Sequence, residues 1–281
     1  MGVHSIRCAP NVNKYCEDEM KSLDQGITRF ACGAAIALAG ASSYAQSDND
    51  CANLPNHSAL KAALIAARGV ANGGFNLDMW GTIVNRDGVV CAVAFTGANR
   101  GSEWPGSRVI SAQKANTANS FSLPGLALST ANLWAAVQPG GSLYGLQHSN
   151  PVDTDAAYKG PSSNFGQFND PMVGKKIGGV NVFGGGLALY RGPASARTLI
   201  GAIGVSGDTS CADHNIAWRT RHNLALDFVS GGVGPAGRPD TINYQGLVAV
   251  PSLAADFSHP ICKIVGVDGV SAISAALPVT Q

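Results

Sequence analysis

The sequence of 281 residues contains few charged residues, which make up 13% of the chain and leave a net charge of +1. It has no run of lysine and arginine, although surfaces that bind phosphate groups need clustered cations. We therefore expect neither a nucleic-acid partner nor an anionic membrane surface. After residue 45 the only glutamate is Glu103, which excludes chemistry that depends on two glutamates. No H-E-x-x-H, H-x-H or C-x-x-C motif occurs either, so a zinc site of common spacing is not expected.

A long apolar run is also missing, and the short one near the start is typical of an export signal. Residues 30–40 (FACGAAIALAG) are too few to span a bilayer. They follow the basic residues Lys21 and Arg29 and precede the small-residue site Ser43-Tyr44-Ala45. This order predicts a secretory signal that is cleaved after Ala45.

The predicted cleavage site divides the chain into two parts. Residues 1–45 are expected to be an N-terminal extension with a cleaved signal peptide, and residues 46–281 a single mature domain. We expect translation to start at Met20, because the acidic residues 17–19 do not suit a signal peptide. The mature protein is expected to be periplasmic or secreted and to lack a membrane span.

Cysteines are sparse, and their number becomes informative once the leader is removed. Four remain, namely Cys51, Cys91, Cys211 and Cys262. An even number in an oxidising compartment predicts two disulfides, for which three pairings are possible. We favour Cys211–Cys262, because that bond would attach a tail with little core of its own to the start of a helix. Cys51–Cys91 is then the second bond.

Hydrophobic periodicity predicts one α/β (α+β) domain. Five runs have the pattern of β-strands, at residues 79–85, 89–96, 177–183, 187–190 and 198–205. Four segments have helical patterns, at residues 55–71, 107–121, 129–137 and 209–228. The turn Arg86-Asp87-Gly88 indicates a β-hairpin, so the sheet should be antiparallel, with five strands and flanking helices. We also expect a long loop at residues 138–176 and an irregular surface tail from residue 231.

One group of side chains is concentrated where a strand meets the last helix. Asp208, Asp213 and His214 are close in sequence there, and Trp218 lies one turn beyond His214 on the same helix face. A histidine in such a place can bind a metal or haem iron, or act as a general acid or base. The alternative is a capped helix start with a half-buried structural histidine.

Two cations and a glycine-rich segment complete the candidate site. Arg108 and Lys114 on the second helix are placed to contact a carboxylate or propionate, or else they form a solvated face. Residues 178–192 contain six glycines. Glycine permits close approach of the backbone, so this segment is expected to contact a flat ligand or another subunit.

Four short motifs follow one another in the order seen in a known family. They are residues 84–88 (VNRDG), 107–118, the triple glycine 184–186 and residues 200–207 (IGAIGVSG). Over residues 55–230 the sequence resembles the GlcG/HbpS-type haem-binding family. This resemblance implies a profilin-like antiparallel sheet flanked by helices, assembly into oligomers and, for some secreted members, haem binding.

The sequence departs from the characterised haem binder of that family at the iron contact. Val180 occupies the place of a threonine that approaches the iron, and Val109 and Ala112 replace two acidic residues of an iron motif. If haem is bound, we therefore expect His214 or His148 to reach the iron.

These observations lead to three hypotheses. The first is an exported haem- or tetrapyrrole-binding protein that stores, carries or senses its ligand, as a homo-oligomer. Its expected ligand contacts are Arg108, Lys114, Phe183, Gly184, Gly185, Asp208 and Trp218, with His214 and His148 as metal ligands. The second is an enzyme acting on a small hydroxy acid or aromatic acid, with Lys114 as anion anchor and His214 with Asp208 as acid and base. The third is a non-catalytic assembly protein whose glycine-rich strands pack between subunits.

Overall fold

A computed structural model of the chain describes residues 51–193, 195–245, 255–262 and 270–281. The predicted signal segment and its cleavage site lie outside these residues. Among the helices of the described part, none is long and apolar enough to cross a membrane.

Four antiparallel strands form the central sheet. They are β1 (Trp80–Asn85), β2 (Val90–Phe95), β3 (Gly186–Arg191) and β4 (Thr198–Ser206), arranged in the order β2-β1-β4-β3. Most of their residues are buried, because helices or loops cover both faces of the sheet. The expected fold class, an antiparallel sheet flanked by helices, is confirmed.

The hairpin that joins β1 to β2 forms where the sequence predicts it. Gly88 has a φ of 77°, a left-handed conformation that glycine adopts without steric cost. Its N–H donates to the carbonyl of Asn85 at 3.0 Å. The Asn85 side chain accepts two further hydrogen bonds, from the N–H groups of Asp87 and Val89. These contacts satisfy the backbone N–H groups of Asp87, Gly88 and Val89 and fix the shape of the turn between β1 and β2.

Three helices make most of the contacts with the sheet. Helix α1 (His57–Arg68) and helix α6 (Ser210–Asn223) pack on one face, and helix α2 (Ser107–Ser120) packs on the other. Asn56 caps α1 and Thr209 caps α6, each by accepting an N–H of the first turn. The described part also contains four shorter α-helices and one 3₁₀ helix (Ser162–Asn164). The α-helices are α3 (Leu133–Ala136), α4 (Leu146–Ser149), α5 (Thr154–Tyr158) and α7 (Val270–Ala275).

Strand β4 supplies side chains to both faces of the sheet. Ile203 and Val205 enter the core with α1 and α6, whereas Ala202 packs in the core on the α2 side. Gly204 lies so close to α2 that a Cβ there would collide with the carbonyl oxygen of Ser111. Glycine at this position therefore lets α2 approach the sheet closely and brings the side chains of α2 to the end of β4.

The fifth expected strand, at residues 177–183, is not formed. Gly178 and Gly179 adopt φ values of 62° and 79°, and two consecutive left-handed residues interrupt an extended chain. The N–H of Asn181 donates to the hydroxyl of Thr117 instead of to a neighbouring strand. The segment is therefore a buried connection along α2, and the sheet has four strands.

The tail after residue 231 was expected to lie on the surface, but several of its residues are buried against the domain. Asp240 is fully buried and accepts two hydrogen bonds from Arg221 of α6, at 2.5 and 2.9 Å. Ile242 and Tyr244 are also buried, and they pack in one cluster with Cys211. Apolar side chains and a buried ion pair thus hold the tail against α6.

Both expected disulfides are present. Cys51 and Cys91 bond with their Cα atoms 5.5 Å apart, and Cys211 and Cys262 with theirs 6.1 Å apart. The first bond ties the segment before α1 to β2, and the second ties the tail to the first turn of α6. This confirms the pairing favoured from the sequence.

We expect the double substitution Cys211→Ala/Cys262→Ala to lower the free energy of unfolding by about 4 kcal/mol, because the bond closes a loop across 51 residues. The bond restricts the unfolded chain, so most of the loss should appear without a change of native structure. Urea unfolding of both proteins measures the difference, and peptide mapping without reductant checks the pairing. Free thiols at these two positions in the native protein would contradict the assignment.

Candidate functional site

A buried ion pair lies where α2, the end of β4 and the start of α6 meet. The Lys114 ammonium is 2.7 Å from a carboxylate oxygen of Asp213, and neither side chain is more than 3% exposed. Lys114 also donates to the carbonyl of Val205 at 3.0 Å and contacts the hydroxyl of Ser206 at 3.3 Å. Burial lowers the pKa of Lys114 and raises the pKa of Asp213, and the attraction between the two charges opposes both shifts. The charge of Lys114 is thus balanced inside the protein.

Asp208 has a structural role in the same region. Its carboxylate accepts the N–H groups of Phe75, Leu77 and Thr209 at 2.9, 3.0 and 2.6 Å. Its own N–H donates to Asp213 at 2.8 Å. Asp208 therefore connects the loop before β1 to the start of α6, and its lone pairs are directed at backbone donors.

His214 is sealed inside the protein. Its side chain is fully buried, and neither ring nitrogen has a hydrogen-bond partner among the described residues. Its ring lies 6.0 Å from that of Trp218, which is also fully buried. Burial, reinforced by the charges of Arg221 and Lys114, lowers the pKa of His214 to about 3. The imidazole is therefore neutral at neutral pH, and a haem iron can reach it only if the surrounding packing opens.

The glycines beside this cluster allow close packing within the chain. A Cβ on Gly185 would lie 3.3 Å from the Lys114 ammonium, and one on Gly184 would lie 3.1 Å from the Cβ of His214. Protein atoms thus occupy the space in which we expected a flat ligand. Phe183 differs from its neighbours, because half of its side chain is exposed.

The other expected cation, Arg108, is also engaged by a carboxylate. It forms a two-pronged ion pair with Asp170 and donates to the carbonyl of Ala157 at 2.9 Å. Its guanidinium lies 3.7 Å from the ring centre of Phe165. Arg108 and Asp170 are both buried, so this pair fixes the long loop against α2. The sequence did not predict Asp170 as the partner of Arg108, because Asp170 lies 62 positions further along the chain in an irregular segment.

Arg108 forms part of the wall of an open cavity, which we call the Arg108 pocket. Its volume is about 460 Å³, and its lining includes Trp80, Arg100, Arg108, Val109, Tyr158 and Phe165. Arg100 is exposed, and no ion pair holds it within the described part of the chain. Tyr158 is 60% exposed at the end of α5. This cavity combines aromatic surface, an unpaired cation and a phenol.

The expected site residues are therefore only partly brought together. Lys114, Asp208, His214, Trp218 and the two glycines gather at the start of α6, but their polar groups contact the protein itself or are sealed from solvent. Arg108 lies at the pocket, and His148 lies exposed on α4. Arg100 and Tyr158 were not predicted as ligand contacts. The turn Asn99-Arg100-Gly101, four residues after the end of β2, was the available signal for Arg100.

Within the described residues, one group of potential metal ligands is close enough to hold an ion. It consists of Cys211, His259 and Cys262, whose ligand atoms lie within 4.8 Å of one another. The two sulfurs are bonded to each other, and a disulfide provides no thiolate. Neither His214 nor His148 belongs to this group.

We expect the stability of the wild type to fall more steeply below pH 6.5 than that of His214→Leu. The folded-state pKa of His214 lies near 3, whereas the unfolded chain takes up the proton near pH 6.5, so acid favours unfolding between these values. The difference in slope should approach one proton, or about 1.4 kcal/mol per pH unit. Urea unfolding at pH 7, 6 and 5 measures it, with the exposed His148→Ala as control. Parallel pH profiles for wild type and His214→Leu would contradict a neutral buried imidazole.

No curated protein matches this chain significantly. Among solved structures, a PduOC–haem complex is 22% identical, with 59% of this chain and 89% of that chain covered and a TM-score of 0.40. Protein ORFY of Klebsiella pneumoniae is 24% identical, with coverages of 61% and 90% and a TM-score of 0.40. HbpS is 16% identical, with coverages of 59% and 84% and a TM-score of 0.36.

The model of one protein family, described as "Haem degrading protein HbpS-like", matches residues 54–221. The match begins just before α1 and ends within α6, so it includes the whole sheet and both of its helical faces. The chain therefore belongs to the HbpS-like family of haem-degrading proteins.

Proposed function

We propose that this protein is exported and binds haem or a related tetrapyrrole in the Arg108 pocket. The observation that carries the proposal is an open cavity of about 460 Å³ with aromatic walls, in a chain of the HbpS-like family. Pockets for small molecules and cofactors usually have volumes of about 300–1,000 Å³, mostly apolar walls and a few polar groups. The volume of the Arg108 pocket lies within this range.

The pocket suits a flat aromatic ligand because its walls are rigid. Trp80 is nearly fully buried and packs edge-on against Phe95, with ring centres 5.3 Å apart. Phe165 is held against the guanidinium of Arg108, which the ion pair with Asp170 fixes in turn. A planar macrocycle therefore meets surfaces that need little ordering, which lowers the entropic cost of binding.

One charged group at the pocket is available for the edge of such a ligand. Arg100 is an exposed cation, and in our proposal it binds a propionate group. Trp80 contributes apolar wall only, because its indole N–H is buried and does not reach the open cavity. Arg108 then acts as a support for the wall rather than as the anion contact.

The iron ligand is proposed to be Tyr158. Its phenol is exposed at the pocket, and tyrosinate is an established axial ligand of haem iron. The expected ligands His214 and His148 do not line this cavity, and His214 is sealed from solvent. Bound haem would supply a redox-active iron here, while the protein residues orient the macrocycle and hold its propionates.

Export is the second part of the proposal. It is supported by the signal-like segment before residue 46 and by two disulfides, which persist mainly in oxidising compartments. A pocket open to solvent also favours exchange of the ligand, so we propose that the protein carries or stores the tetrapyrrole. The enzyme hypothesis based on Lys114 and His214 receives no such support, because both groups are buried.

Titration of the mature protein with ferric haem tests the proposal. We expect a Soret band with saturable binding in the wild type and a changed Soret position in Tyr158→Phe. Binding in Arg100→Gln should be at least about tenfold weaker, since a charge-assisted hydrogen bond contributes about 1.5–3 kcal/mol. The shift in Tyr158→Phe reports the loss of the phenolate from the iron, whereas the Arg100 change should alter affinity alone.

Two variants serve as matched controls. Arg191→Gln removes an exposed arginine at the end of β3, and His148→Ala removes the exposed histidine of α4; neither residue lines the pocket. Both should bind haem as the wild type does. Unchanged spectra and affinity in Tyr158→Phe and Arg100→Gln, or a loss of binding in His148→Ala, would exclude the pocket as the site described here.

A further inference from the structure

A serine and a histidine meet at the first turn of α6, away from the Arg108 pocket. The hydroxyl of Ser210 lies 2.7 Å from Nε2 of His259. The two residues are 49 positions apart, and they come together because the tail folds back onto the helix. This contact uses neither Lys114 nor His214.

The hydrogen bonds determine where the protons lie. Nδ1 of His259 is 2.6 Å from the carbonyl oxygen of Pro260. A carbonyl can only accept, so Nδ1 carries the proton, and in the neutral ring Nε2 has a free lone pair. The Ser210 hydroxyl therefore donates to Nε2. Burial lowers the pKa of His259, while the bond to Pro260 opposes this shift, so the ring is neutral at neutral pH.

The arrangement resembles that of serine nucleophiles which are activated by a histidine. A base accepts the proton of the hydroxyl, and a third group orients the base through its other nitrogen. Here the Pro260 carbonyl supplies the third group. The N–H of Gly184 donates to the Ser210 oxygen at 2.6 Å and fixes the position of the hydroxyl.

Independent contacts hold both partners in place. The N–H of His259 donates to the carbonyl of Asn243 at 2.9 Å, and its carbonyl accepts from Gln245 at 3.0 Å. The Cys211–Cys262 disulfide joins the residue after Ser210 to the third residue after His259. The segment that carries the histidine is thus fixed by backbone hydrogen bonds within the tail and by a disulfide to the helix, and these contacts do not depend on the bond to Ser210.

Access to the pair is narrow. His259 is 3% exposed, whereas Ser210 is partly exposed and Phe183, which precedes Gly184, is half exposed. An approaching group therefore reaches the pair at the partly exposed serine, because the histidine behind it is buried. These surroundings favour a short, uncharged acyl group.

We propose that Ser210 and His259 form a nucleophile–base pair that hydrolyses carboxylic esters with short acyl chains. The Ser210 oxygen attacks the ester carbonyl carbon and gives its proton to Nε2 of His259. The bond to the alcohol oxygen then breaks, the alcohol takes that proton, and the acyl group stays on Ser210. Water attacks the acyl-serine, again with proton transfer through Nε2, and releases the carboxylic acid and free Ser210.

A fluorophosphonate probe, which modifies activated serines with loss of fluoride, tests the pair on the mature protein with its disulfides intact. We expect the probe on the Ser210 peptide in mass spectra, no such label in Ser210→Ala, and at least 100-fold slower labelling in His259→Gln, because a general base contributes 10²–10⁴-fold. Glutamine is suitable because it retains hydrogen-bonding capacity without accepting the proton. Hydrolysis of p-nitrophenyl acetate should fall in the same two variants.

Ser163→Ala is the matched control, since Ser163 is an exposed serine in another turn. In this variant, the probe should label Ser210 at the wild-type rate. Circular dichroism and a peptide map of the disulfides verify the fold of each variant. An unlabelled wild type, a label on a different residue, or equal labelling rates in His259→Gln and wild type would each overturn the proposal. Haem binding is measured separately, so either proposal can fail without the other.

Discussion

The buried pair of Lys114 and Asp213 is the contact on which the arrangement of this domain depends. It joins α2 to the start of α6 at the point where β4 ends, and Lys114 also donates to the carbonyl of Val205 in that strand. Removing one partner of such a pair leaves an uncompensated charge and typically costs 3–5 kcal/mol. Because each charge neutralises the other, Lys114 and Asp213 hold the elements together and are not free to contact a ligand.

Much of the fold could be predicted because it follows from local patterns. The alternation in β1 and β2 and the left-handed Gly88 between them determine a hairpin within a few residues of sequence. The segment at residues 177–183 shows the limit of that reasoning. Its apolar residues suggest a strand, but two left-handed glycines and a hydrogen bond to Thr117 place it along α2. Such a choice depends on long-range partners, which periodicity does not contain.

The candidate site could be predicted less well, and the reason is again long-range pairing. Lys114 and Arg108 are cations on a helix, and nothing nearby in sequence indicates that Asp213 and Asp170 neutralise them. The tail illustrates the opposite case. The even number of cysteines predicted two disulfides, and the need to attach a tail with little core favoured Cys211–Cys262. That bond brings His259 against the first turn of α6. Covalent constraints can thus be inferred from a sequence where buried ion pairs cannot.

The most direct test of the central claim is to map where haem binds. Ferric haem is paramagnetic, so it broadens the NMR signals of nearby amides, and diamagnetic zinc protoporphyrin is the matched control. The Arg108 pocket predicts broadening at Gly101, Val109 and Phe165, with the signals of Gly185 and Ala212 beside the buried pair retained. Broadening centred on Gly185 and Ala212, with the three pocket residues unaffected, would contradict the account.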